Sequence, residues 1–169
     1  VKHLAILGAL ALAIAPGAGF AQSALTMGEG PHGYDFLIGS WSCVNPNPGP
    51  MSGPASTTIV GTAASAHDAI MLHITGTGLD GTSYMSYNST SKVWSSPGAD
   101  ASGAGGVETT KETGAKVTWT GSAPDQTSGK TIQYRDTFTR PAANTYVDFG
   151  EINDGSGWKA ISTFTCTKS

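Results

Sequence analysis

From Ser56 to Thr167 the chain is a string of short segments rich in β-branched and aromatic residues. Each is closed off by turn chemistry, and no stretch holds apolar residues at a 3.6-residue period for several turns. The segments are Ser56–Thr62, Ala69–Gly76, Ser83–Asn88, Lys92–Ser96, Gly106–Thr113, Lys116–Gly121, Thr131–Arg140, Thr145–Ile152 and Trp158–Thr167. Ahead of them, Tyr34–Ile38 runs into a first strand through Gly39-Ser40-Trp41-Ser42-Cys43-Val44, and the Pro/Gly-rich stretch Asn45–Pro54 cannot hold a ladder. Asp80-Gly81 and Asp154-Gly155 read as hairpin turns, since both residue types tolerate positive φ, and Pro97-Gly98 and Thr113-Gly114 read as further breaks. The fold class is all-β. Successive hairpins give an up-and-down antiparallel meander of about eight to ten strands, and closing its ends into a barrel removes both exposed edges.

Cys43 and Cys166 are the only cysteines, one in the first strand and one in the last. In an oxidising compartment two lone cysteines most simply pair. Alternation supports the pairing: Leu37, Gly39, Trp41 and Cys43 share one face, and Trp158, Ala160, Ser162, Phe164 and Cys166 share another. Each cysteine thus follows a bulky aromatic on its own face, as expected of a disulfide between adjacent first and last strands.

Such a compartment is itself expected. Lys2 and His3 precede an apolar run from Leu4 to Ile14, followed by Pro16 and small residues up to Ala21, the pattern of a secretory signal peptide spanning 1–21. The apolar run is shorter than the roughly 20 residues that cross a bilayer, so no membrane span is expected after cleavage. Residues 22–33 read as a loose leader and 34–169 as one barrel domain, periplasmic or secreted. The formal net charge of −3 and the scattering of Lys and Arg exclude a nucleic-acid partner.

Two motifs resemble a known superfamily. Phe36-Leu37-Ile38-Gly39-Ser40-Trp41 resembles the Gly-x-Trp opening of calycins, which include lipocalins, fatty-acid-binding proteins and avidins. Tyr87-Asn88-Ser89-Thr90-Ser91-Lys92-Val93-Trp94 is similar to a hairpin of lipocalin-like exported bacterial proteins, distantly like nitrobindins. The resemblance implies a lipocalin-like barrel in which Gly39, Trp41, Tyr87 and Trp94 are structural, and a small apolar or amphipathic molecule held inside. Nitrobindins ligate haem through a late histidine; here no histidine follows His73, so haem does not carry over.

Candidate chemistry is sparse. No nucleophile elbow, HExxH helix or P-loop is present, and the histidines are too scattered to bind a metal, so no cofactor is expected. Along Thr131–Arg140, Ile132, Tyr134, Asp136 and Phe138 share a side, which puts one carboxylate among apolar neighbours. Either Asp136 is a polar group inside the cavity, or its face is the solvated one. Trp94, Trp119 and Trp158 either line a cavity or fill a core. The leading expectation is non-catalytic binding of a small apolar ligand by Tyr84, Trp119, Tyr134, Asp136 and Phe138. The alternatives are an isomerase or hydrolase using Asp136 with His73, and a structural envelope protein with a packed interior.

Overall fold

The computed structural model describes residues 25–50, 52–64, 68–125 and 128–169. The expected signal segment 1–21 and His67 lie outside them. A one-turn 3-10 helix, Asp35–Leu37, is followed by ten strands: β1 (Gly39–Val44), β2 (Ser56–Ala64), β3 (Ala69–Gly76), β4 (Leu79–Asn88), β5 (Val93–Asp100), β6 (Gly105–Thr110), β7 (Lys116–Pro124), β8 (Thr131–Ala142), β9 (Thr145–Asn153) and β10 (Trp158–Lys168). Each strand pairs antiparallel with its sequence neighbours, and β1 pairs with β10, so the meander closes into a barrel. Cys43 stands directly opposite Cys166 in that closing ladder, their Cα atoms 3.9 Å apart, and the two are joined by a disulfide.

One half of the barrel is solid. Trp41, Trp94, Trp119, Tyr34, Tyr146, Met27 and Leu37 are fully buried there, with Phe36 and Phe138 packed against them. The aromatic rings meet mostly edge-on or tilted: Tyr34 with Trp94 at 5.0 Å and Trp41 with Tyr146 at 5.0 Å between centroids. The Gly-x-Trp motif explains how this end is plugged. Gly39, at φ +115°, turns the chain from the short helix into β1, and Trp41 Nε1 then donates back to the Leu37 carbonyl at 3.1 Å. The Tyr87–Trp94 hairpin is structural in the same way, the two residues facing each other in register with rings 5.3 Å apart.

Four expectations are corrected. Residues 25–33 are not loose. Leu25 N–H donates to Arg140 O at 2.9 Å, Met27 exchanges backbone hydrogen bonds with Gly114, and the Met27 side chain sits in the core because an apolar residue there caps the aromatic cluster. The β3–β4 turn is Thr77-Gly78, with Gly78 at φ +72°, which leaves Asp80-Gly81 inside β4. Pro97-Gly98 does not break β5; the β4–β5 pairing is interrupted across from Pro97, which has no N–H to give, and resumes on either side. Finally, a register shift in β10 between Ala160 and Ser162 turns Trp158 away from the face of Ser162, Phe164 and Cys166. Trp158 lies outside, partly exposed, beneath the Arg135 guanidinium at 4.2 Å.

Candidate functional site

The other half of the barrel is hollow. Its mouth is framed by Ser52 and Gly53 and by the turns at Thr77-Gly78, Ala101–Ala104 and Asp154–Gly157. Below it lie two adjoining compartments, of about 560 and about 270 Å³, that share Leu79, Asp100, Ala104, Tyr134 and Asp136. The space exists because inward positions here carry little side chain. Gly81, Gly98 and Gly106 line the smaller compartment with Ser83 and Ser96, whose hydroxyls bond each other at 2.6 Å. A Cβ on Gly121 would run into the ring of Tyr134, and one on Gly150 would lie 2.9 Å from Asp136 Oδ1, so these glycines give the two cavity residues their places.

The lining mixes apolar and acidic side chains on the same strands, Ile132 with Asp136 on β8 and Ile152 with Asp148 on β9. Ile132, Ile152, Ile161 and Phe164 line the larger compartment and Ile74 the smaller, while Asp136 lines both and Asp148 the larger. Glu108 joins from β6. It is aligned with Gly121 of β7, which is aligned in turn with Tyr134 of β8, and the missing side chain at Gly121 lets the Glu108 and Asp136 carboxyls meet across the intervening strand. The two share a hydrogen bond. Asp148 lies on the adjacent strand: Asp136 pairs with Gly150 and Phe138 with Asp148, which makes the two aspartates diagonal neighbours.

Burial dominates the electrostatics. Desolvation, with the negative charges of Asp136 and Asp148 beside it, pushes the Glu108 carboxyl up to about 10. Desolvation also raises Asp136, and it raises Asp148 well above the ordinary carboxylate range with the Asp136 charge adding to it. Tyr134 is pushed up to about 12 by burial and by the charges of Glu108 and Asp136. Glu108 therefore keeps its proton at neutral pH and donates it towards Asp136. Among the described residues no Lys, Arg or His ion pair involves Glu108, Asp136 or Asp148, although Glu151, which also lines the larger compartment, is paired. Arg135 holds Glu151 at 2.6 Å, Lys159 holds Asp154 at 3.0 Å, His73 holds Asp80 at 2.8 Å and His32 holds Asp35 at 2.9 Å.

Of the residues expected to line a cavity, Tyr134 and Asp136 do so together. Trp119 is part of the solid core, where its Nε1 donates to the Tyr34 hydroxyl at 3.1 Å, and Phe138 stacks on Tyr146 in the same cluster. Tyr84 stands on the outer surface, 40% exposed, because it alternates with the inward Ser83 and Met85. His73 is also outside, paired with Asp80, so the Asp136–His73 couple of the enzyme alternative is not assembled: the two lie on opposite faces of the barrel wall. Asp148 and Glu108 were missed. Asp148 carries the same signal as Asp136, a carboxylate alternating with Tyr146 and Ile152. Glu108 alternates only with Gly106 and Thr110, and nothing apolar marks its face.

No family model matches the chain, and no curated protein matches it. The architecture is a closed ten-stranded antiparallel barrel, compatible with a lipocalin-like fold.

Proposed function

We propose that the protein is an exported, lipocalin-like carrier that holds a small amphipathic molecule in the open half of its barrel without transforming it. The cavity carries this reading. At about 560 Å³ its larger compartment is within the range that holds a small organic ligand. Its apolar walls and few convergent polar groups are the composition such sites share. A barrel kept only for structure has no need of the hollow, since the other half shows how completely these strands can be filled with aromatic rings.

The calycin resemblance and export belong to the same reading. The disulfide suits an oxidising compartment. Among the described residues no helix is long and apolar enough to cross a membrane. Catalysis is not part of the reading, because no nucleophile–base pair is assembled at the cavity carboxyls.

Uptake of the uncharged fluorophore Nile red tests this. Saturable fluorescence enhancement is expected from the wild-type protein, together with its loss in Ala104→Trp, which fills the space shared by both compartments. Equal enhancement in the two proteins, or none in either, would sink the proposal.

A further inference from the structure

We propose that the ligand is a cation, a primary ammonium on an apolar body, with its charged head held by Glu108, Asp136 and Asp148. This deepens the carrier reading and rests on it. The observation behind it is a mismatch. Asp148 Oδ1 and Glu108 Oε1 are shut off from solvent and face no hydrogen-bond donor, on side chains that belong to the lining of a hollow. Buried carboxyl oxygens are ordinarily satisfied, because leaving one without a donor forfeits its hydration for nothing. No lysine, arginine or histidine among the described residues reaches the cluster.

An ammonium group supplies what is missing: one positive charge and three donors within a radius that several carboxyl oxygens can share. The apolar part of the lining sets the rest of the molecule. Ile132, Ile152, Ile161 and Phe164 can cover a hydrocarbon body but offer it no hydrogen bonds, so the ligand's polarity is confined to one end. An anionic head group brings no donor to the two oxygens that lack one. A bare metal ion fits poorly. Among the described residues no three His, Cys, Asp or Glu side chains are arranged to hold one, and a hard cation wants oxygen on all sides rather than isoleucine.

The test compares phenethylamine with phenethyl alcohol, which share a body and differ in the charge, by calorimetric titration at neutral pH. The amine is expected to bind the wild-type protein at least tenfold more tightly. Asp136→Asn/Asp148→Asn should abolish that preference, and Asp80→Asn on the outer wall should leave it intact. Equal affinities for amine and alcohol, or a preference that survives in the double variant, overturn the assignment while the carrier reading stands on Nile red. Calcium binding that displaces the amine also overturns it, by making the cluster a metal site. If neither compound nor Nile red binds, both proposals fall.

Discussion

Asp136 faces Glu108 from β6 and Asp148 from β9, with the Tyr134 hydroxyl beside them and no cation in the group. All three carboxyls have folded pKa values above their unfolded ones, and the consequence for stability has a definite sign. Between the unfolded and folded values the native state binds more protons than the unfolded chain, so stability is fully present below about pH 4 and is lost as pH rises. The slope is about 1.4 kcal/mol per pH unit for each carboxyl inside its window. The melting temperature is therefore expected to fall from pH 5 to pH 8. Asp136→Asn should flatten that slope and raise stability at pH 8, measured by thermal unfolding across the pH series. A melting temperature that rises over this interval in the wild type would show that the cluster is not buried as described. Gly61 gives a second prediction at this scale. A Cβ there would collide with the Leu37 carbonyl, the acceptor of the Trp41 indole, so Gly61→Ala should cost about 1–3 kcal/mol in urea denaturation.

Each strand's existence was legible from β-branched content and turn chemistry, because those reflect local backbone preference. Its orientation was legible only where alternation ran unbroken. In β8 it did, and Tyr134 and Asp136 were correctly placed together on one face. In β10 a single extra residue at the bulge reversed the direction of Trp158, and no local residue preference marks where a ladder slips. The turns at Asp80-Gly81 and Pro97-Gly98 were misplaced for a related reason. Gly81 and Gly98 sit inside strands and line the hollow, so their lack of a side chain serves the cavity rather than a turn. The leader failed differently: nothing in Met27's neighbourhood signals a partner far along the chain, yet it bridges to Gly114 and fills the aromatic core. Met27→Ala should accordingly cost about 2–5 kcal/mol, as a cavity in a packed core does. A loss below 0.5 kcal/mol in urea denaturation would return the segment to the status of a loose leader.

For the whole molecule, the disulfide and the β1–β10 ladder do the same task, joining the two ends of a meander that has no other closure. Cys43 and Cys166 are separated by 123 positions, so their link restricts nearly the entire unfolded chain, with an upper value of about 5 kcal/mol. Cys43→Ala/Cys166→Ala should lower the unfolding free energy by up to that amount and release the barrel's seam first, read as early amide exchange in β1 and β10. Uniform exchange around the barrel would show that the seam closes unaided. The barrel so closed is divided between a half filled with rings and a half kept hollow around three carboxyls. That division is the core of the carrier reading. Its most direct measurement is the native mass of the protein recovered from its native source without denaturation. A discrete added mass of a small molecule, present in the wild type and absent from Ala104→Trp, is the predicted result. The bare polypeptide mass in both would contradict it.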